Sequence, residues 1–220
     1  MAPRAGGEAG MSQTDPAATP SVRVSFAVDA ARVACFFLLL QQGVRARRRV
    51  GRPLGAFLRE ELGAGPETIG RIQSIFLDGR PVDDIAAAVV RDGSTLALSA
   101  ALPGLVGATL RRGGTYASFR SGITHQGQGG ACAPGTGWVT VKLFNLIMDE
   151  LGPGLLRGGV LVRASDLAGL LPELPEDLWQ GGGRVTLDDQ PVDRGALLGA
   201  QSPGGAGPVL LSVSSGPPCR

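Results

Sequence analysis

Two ten-residue stretches of the chain are nearly the same: IFLDGRPVDD occupies positions 75–84, and VTLDDQPVDR occupies positions 185–194. Both contain a leucine followed by an aspartate, and both continue with the triplet Pro-Val-Asp. An Asp-Gly or Asp-Asp pair between apolar residues is typical of a tight turn between two strands. A chain that repeats such a turn at a long interval is expected to contain two similar pieces of structure.

The elements around the two stretches also follow one order. In the first half, hydrophobic patterns predict a strand, a buried helix, a strand, an amphipathic helix, the hairpin strand and a last strand, over 22–28, 30–42, 43–50, 54–62, 71–82 and 94–100. The second half repeats this order over 139–145, 146–156, 159–163, 165–174, 184–193 and 208–213. The repeated order predicts a tandem duplication. The alternative is two unrelated α+β halves that share turn chemistry.

Local signals predict where the two buried helices begin, end or change direction. Asp29 is a suitable N-cap for the first of them, and Gly43 is expected to end it. Gly152 and Pro153 lie inside the second and predict a break or a kink there.

Three stretches, GRPLGAFLREEL, IFLDGRPVDD and VRDGSTLALSA, resemble the helix, the third strand and the last turn and strand of the β-grasp fold. This is the fold of ubiquitin and of the small sulfur carriers of molybdopterin and thiamin synthesis. The resemblance covers 43–114 and, more faintly, 159–213. It implies an α+β protein of two tandem β-grasp-like units, each a small mixed sheet packed on one or two helices.

The chain departs from the β-grasp family between its first two strands. The family joins these strands by a tight hairpin, whereas here a helical segment lies between them. The segment is either an insertion or the crossover of a strand–helix–strand unit with parallel pairing.

These predictions divide the chain into five parts. They are a disordered tail (1–20), a first unit (21–102), a connector rich in Gly and Arg (103–137), a second unit (138–214) and a C-terminal tail (215–220).

The halves of the chain carry charges of opposite sign. Residues 22–125 have 14 basic and 8 acidic side chains, whereas residues 138–213 have 5 basic and 9 acidic side chains. The halves could therefore attract each other, or one of them could face an anionic partner. Ordinary solvated surface is the remaining interpretation.

The cysteines favour a cytoplasmic protein without a disulfide framework. Cys35, Cys132 and Cys219 are odd in number and lack the spacing of a zinc site. The apolar run VACFFLLL is too short to cross a bilayer, so we predict no membrane partner. No dinucleotide fingerprint or phosphate loop occurs in the sequence, and we predict no cofactor and no metal.

Arginines form the candidate anion-binding residues, because guanidinium groups match phosphate and carboxylate oxygens. One set lies on the alternating strand 43–50, and the other lies in the connector: Arg45, Arg47 and Arg49, and Arg111, Arg112 and Arg120. The strand could contact nucleic acid, although the first unit lacks an obvious aromatic platform beside it. Solvated arginines are the alternative for both sets.

A second hypothesis concerns TLRRGG at 109–114, which resembles the Arg-Gly-Gly tail of ubiquitin. In that family the tail offers its carboxylate for activation. The resemblance implies a sulfur or acyl carrier using Gly113 and Gly114, if the chain is cleaved after Gly114.

The remaining polar residues favour a protein without catalytic activity. His125 is predicted to be an exposed connector residue. The aspartates near the repeated stretches could bind metal or act as acid and base, but turn formation explains them more simply. We therefore predict a binding or assembly protein that docks on a larger protein partner, with exposed sheet edges as one docking route.

Overall fold

The computed structural model describes residues 19–101, 110–112, 114, 124–125, 133–180, 184–199 and 207–216. Within them the strands are β1 (Val22–Val28), β2 (Val44–Val50), β3 (Arg52–Pro53), β4 (Ser74–Leu77), β5 (Arg80–Pro81), β6 (Val89–Val90), β7 (Thr95–Ser99), β8 (Gly135–Phe144), β9 (Val160–Arg163), β10 (Arg184–Leu187), β11 (Gln190–Pro191) and β12 (Pro208–Ser215). We call β1 to β7 the first half and β8 to β12 the second half.

The helices occur between these strands. A 3₁₀ helix (Ala30–Phe36) continues into α1 (Phe37–Gln42), and the others are α2 (Leu54–Glu60), α3 (Pro66–Arg71), α4 (Leu146–Arg157), α5 (Ala164–Leu170), a 3₁₀ turn (Leu171–Glu173), α6 (Glu176–Gln180) and α7 (Arg194–Gly199). The predicted mixture of helices and strands is confirmed, and Gly43 ends the first helical segment with φ 110°. Asp29 precedes that segment, but its side chain makes no capping hydrogen bond.

One large mixed sheet joins the two halves. Among the described residues it has ten strands in the order β11-β10-β1-β12-β9-β2-β8-β7-β4-β5, and β3 pairs separately with β6. The five strands β11-β10-β1-β12-β9 and the five strands β2-β8-β7-β4-β5 meet where β9 and β2 pair through Leu161 and Arg45.

Each half gives its first strand to the part of the sheet formed by the other half. β1 lies between β10 and β12, parallel to β12 along its whole length. β8 lies between β2 and β7, antiparallel to β2 and parallel to β7. The first two strands of a half therefore do not pair with each other, and neither the family's hairpin nor a parallel crossover is present. The division into two separate β-grasp-like units stays a prediction.

The two repeated stretches form equivalent hairpins. Asp78 and Gly79 have φ of 52° and 76°, and Asp188 and Asp189 have φ of 48° and 67°. Positive φ at both central residues defines the type I′ turn, whose twist matches that of paired strands. In both hairpins the valine after proline donates its amide hydrogen to a carbonyl on the hairpin's own first strand. Val82 donates to Ile75 on β4, and Val192 donates to Val185 on β10.

The equivalent aspartates attach their hairpins to different strands. The Asp78 carboxylate accepts the amide of Thr95 on β7 at 2.7 Å. The Asp188 carboxylate accepts the amide of Arg23 on β1 at 2.9 Å. The equivalent side chain thus holds the last strand of its own half in the first hairpin and the first strand of the other half in the second hairpin.

Alternation along the central strands puts apolar side chains on one face of the sheet. The buried residues of this face are Val24, Phe26, Val28, Val44, Ala46, Val50, Leu96, Leu98, Val139, Val141, Leu143, Val209, Leu211 and Val213. Helix α4 packs against β7, β8 and β12, and it also contacts α1. The core therefore lies between the sheet and this helical layer.

Helix α4 continues through Gly152 and Pro153, so a break at these residues is wrong, whereas a kink stays a prediction. Close packing explains the glycine, because a Cβ at Gly152 would lie 2.8 Å from Leu40 Cδ1 and 3.1 Å from Phe37. Contact between α4 and α1 outweighs the low helix propensity of both residues.

Ion pairs between the halves follow the charge difference. Among the described residues three such pairs occur, and in each the first half supplies the arginine: Arg23–Asp189, Arg32–Asp177 and Arg71–Glu150. Hydrogen bonds from Thr68 and Arg71 hold the pKa of Glu150 below its usual value. A lowered folded-state pKa means that this link stabilises the fold at neutral pH, and the contribution is lost as the pH falls through that pKa.

We expect Asp188→Ala to lower the free energy of unfolding by about 1–2 kcal/mol, because it removes the acceptor for Arg23 and puts alanine at positive φ. Asp188→Asn should lower the free energy of unfolding by less, since asparagine keeps an acceptor oxygen and tolerates positive φ. Urea unfolding followed by circular dichroism measures both variants. Equal stability of Asp188→Ala and the unchanged protein would contradict this account of how β1 is held.

Candidate binding surface on the sheet

Strand β2 presents its arginines on the face of the sheet opposite the core. Val44, Ala46 and Val50 are buried, whereas Arg47 and Arg49 are exposed, as the alternation predicts. Arg45 is half-buried on the same side.

Arg48 lies on the apolar side of β2. Its guanidinium donates to the backbone carbonyl of Glu61 at 3.1 Å, directly after the end of α2. Burial lowers the pKa of the Arg48 guanidinium, and the nearby Glu61 carboxylate partly opposes the shift. Arg48 therefore satisfies a carbonyl at the C-terminus of a helix.

Arg49 is neutralised by acidic side chains. Its Nε donates to Glu61 Oε1 at 2.6 Å, and its guanidinium lies 3.7 Å from Glu60. The Glu61 side chain is only 8% exposed, so this pair is well shielded. The positive charge of Arg49 is therefore offset by Glu60 and Glu61.

Strand β8 adds an aromatic ring and a lysine to the same face. Trp138 pairs with Arg47 and Thr140 pairs with Arg45 in the β2–β8 register. Trp138, Thr140 and Lys142 alternate with the buried Val139, Val141 and Leu143 along β8.

Arg45 also contacts the ring of Trp138. The Arg45 guanidinium carbon lies 5.5 Å from the centroid of the indole ring. This distance is within the range of a cation–π contact, which holds the ring against β2. We call Arg45, Arg47, Trp138, Thr140 and Lys142 the β2–β8 face.

Two cations of the β2–β8 face carry uncompensated charge. Arg47 is exposed, Lys142 is half-buried, and neither forms an ion pair with any residue in the described parts of the chain. The face therefore combines positive charge with an aromatic surface.

The turn before β7 fixes the backbone of Trp138. The Asp92 carboxylate accepts the Trp138 amide at 2.6 Å, and the Gly93 amide donates to the Trp138 carbonyl at 2.8 Å. A Cβ built on Gly93 would have no heavy atom within 4 Å. The backbone of Trp138 is thus fixed on its β7 side by the Asp92-Gly93 turn.

Of the connector arginines, Arg112 contacts the end of α3 and not the β2–β8 face. The Arg112 amide donates to the Gln73 carbonyl at 2.7 Å, and the Arg112 guanidinium donates to the Ile69 carbonyl at 3.4 Å. Both carbonyls lie at the end of α3. Arg111 is exposed, and its carbonyl accepts the Gly114 amide at 3.1 Å. Arg120 and Gly113 lie outside the described residues. The carrier tail stays a prediction, although these bonds form a turn beside α3.

His125 is half-buried, so the expectation of an exposed histidine is wrong. Its amide donates to the carbonyl of Pro81 at 2.8 Å. Its Nδ1 is buried and has no hydrogen-bond partner in the described structure. Cys35 is free and half-buried against the core, and Cys132 and Cys219 lie outside the described residues.

The aspartates near the hairpins form turns. Asp84 accepts the amides of Ala86 and Ala87, and Asp193 accepts the amide of Ala196 at the start of α7. Across the described ranges no group of three His, Cys, Asp or Glu side chains could hold a metal ion.

The outer edges of the sheet do not favour strand addition. In the part of the chain that the structure describes, these edges are β5 and β11, which have two residues each and end in Pro81 and Pro191. Short strands with proline are typical of edges protected against further pairing. The His125 amide also occupies the Pro81 carbonyl.

Comparison of this chain with protein-family models, with curated proteins and with solved structures finds no match in any of the three. Among the helices that the structure describes, none is long and apolar enough to span a membrane.

We expect Gly137→Ala to destabilise the fold by about 1–3 kcal/mol, because a Cβ at this position would lie 2.6 Å from Asp92 Oδ1 and 2.9 Å from Asp92 Cβ. Gly135→Ala is the matched control on the same strand, since its Cβ would meet only the Ala133 carbonyl, at 4.0 Å. Thermal unfolding compares the two variants. If Gly137→Ala unfolds like Gly135→Ala, Asp92 does not pack against β8 as described.

Proposed function

We propose that the protein is a non-catalytic binding protein built from two strand-exchanged β-grasp-like units, and that its β2–β8 face binds an anionic macromolecule. The observation that carries the proposal is the pair of uncompensated cations, Arg47 and Lys142, on the face that also contains Trp138. Two such charges on one face attract a polyanion.

The origin of the face supports a binding role. It exists only because β8 of the second half pairs with β2 of the first half. In the other strand-exchange region β1 pairs with β10 and β12 and not with β9, the counterpart of β2, so no surface equivalent to the β2–β8 face forms among the described residues there. Its β1–β12 pair presents Ser25 and Ser212, whose hydroxyls bond to each other at 2.8 Å. The basic and aromatic character therefore belongs to one of the two strand-exchange regions.

The β-grasp-like assignment is supported by the matched hairpins and by the order of elements. Each half of the sheet also contains one parallel pair, formed by a first strand from one half and a last strand from the other. A duplication followed by exchange of the first strands accounts for both observations.

Binding to heparin tests the proposal, because heparin is a flexible polyanion without bases. We expect Arg47→Glu to weaken heparin binding about tenfold, which corresponds to about 1.4 kcal/mol. Lys142→Glu should act in the same direction. Affinity should fall as salt rises from about 50 to 200 mM, since release of counterions drives this type of binding.

Arg59→Glu provides the matched control. It makes the same change of charge at an exposed arginine on α2, outside the β2–β8 face. Equal loss of binding in Arg59→Glu and Arg47→Glu would show that only net charge matters and would reject the β2–β8 face as the binding surface.

A further inference from the structure

We infer that the anionic macromolecule is a single-stranded nucleic acid, with one base stacked on Trp138 and its phosphates contacted by Arg47 and Lys142. This inference rests on the proposed function and names its partner. It is carried by the arrangement of charge around an aromatic ring, which an acidic protein would not require.

The first step concerns the ring. Trp138 is half-buried, its backbone is fixed by Asp92 and Gly93, and Arg45 holds its indole by a cation–π contact. An aromatic ring on a sheet is a stacking platform for any nucleobase, because every base has a flat π surface. A ring fixed in this way loses little conformational freedom when a base stacks on it.

The second step concerns space. On the β7 side of Trp138 lies Gly93, where an added Cβ would meet nothing within 4 Å. The turn that holds the Trp138 backbone therefore carries no side chain at Gly93 that could cover the β2–β8 face.

The third step concerns the spacing of the charges. Arg47 lies directly across from Trp138, and Lys142 lies further along β8 on the same face. From Trp138 to Lys142 the strand rises about 13 Å at about 3.3 Å per residue. This length matches about four stacked nucleotides at about 3.4 Å each. A strand that runs along β8 with one base on Trp138 would therefore place one phosphate near Arg47 and another, about four nucleotides away, near Lys142.

The fourth step separates single strands from duplexes. Bases inside a duplex are stacked on each other and cannot stack on a side chain unless they are flipped out. The described face has one aromatic ring and no recognised groove-reading helix, so we expect a blunt duplex of the same sequence to bind more weakly.

The test uses the full chain with a fluorescein-labelled RNA of twelve nucleotides, its DNA counterpart, the blunt DNA duplex and an acidic poly-glutamate peptide. We expect the single strands to bind more tightly than the duplex and the peptide. Trp138→Leu should weaken single-strand binding about 5- to 150-fold, and Trp138→Phe should retain most of it. Heparin binding should fall less than single-strand binding in Trp138→Leu, because heparin has no bases to stack and only the charges of the β2–β8 face act on it.

Tryptophan fluorescence separates stacking on Trp138 from a purely structural role of this residue, because only stacking changes its emission when RNA is added. The chain has two tryptophans, so Trp179→Phe leaves Trp138 as the single indole. Stacking of a base should then quench its emission on titration with the RNA, in proportion to binding.

The outcomes separate the inference from the proposed function. If heparin binding depends on Arg47 but single-strand binding is unchanged in Trp138→Leu, or the peptide binds more tightly than the single strands, the inference is overturned and the proposed function stands. If neither heparin nor RNA binding responds to Arg47→Glu, the proposed function fails with it. Comparison of the RNA and DNA strands shows which nucleic acid is preferred.

Discussion

Pairing of β1 with β12 and of β8 with β7 is the interaction on which the rest of the structure depends. Each is a parallel pair, and each joins a first strand to a last strand from the other half of the chain. Val24, Phe26 and Val28 of β1 are all buried in the common core. Since a fully buried side chain of this size contributes about 1.5–3 kcal/mol, β1 carries a large share of a typical stability. The charge difference also holds the halves together, because arginines of the first half form ion pairs with acidic side chains of the second half.

Local chemistry was enough to predict most elements of the fold. The turns at Asp78-Gly79 and Asp188-Asp189 follow from residues that tolerate positive φ, and alternation predicted the arginine face of β2 correctly. Helix α4 is not broken at Gly152 and Pro153, because helix propensity contributes less free energy than packing does. The absence of a side chain at Gly152 is what lets α1 approach α4.

Strand pairing was the part that sequence could not supply. A period-two pattern shows which side chains share a face, but it does not show which strand lies alongside. The sequence alone therefore puts Trp138 at the start of the second unit, far from Arg47. It also predicts no aromatic platform beside the arginines of the first unit. The alternation of Trp138, Thr140 and Lys142 in GTGWVTVKLF was a visible signal, and only the pairing of β8 with β2 turns it into a candidate site. Docking through the sheet edges stays a prediction, and Pro81 and Pro191, which do not favour it, become edge residues only in the observed strand order.

The most direct test of this account is to divide the chain within the connector and to study the pieces 1–120 and 121–220 separately and together. If the first strands are exchanged, each piece alone lacks the strand that completes its part of the sheet and should show no cooperative unfolding transition. Mixed or co-expressed pieces should form a one-to-one complex that unfolds cooperatively, close to the transition of the intact chain. If each piece alone is a monomer with its own cooperative transition, its first strand completes its own sheet, and the exchange that creates the β2–β8 face is refuted.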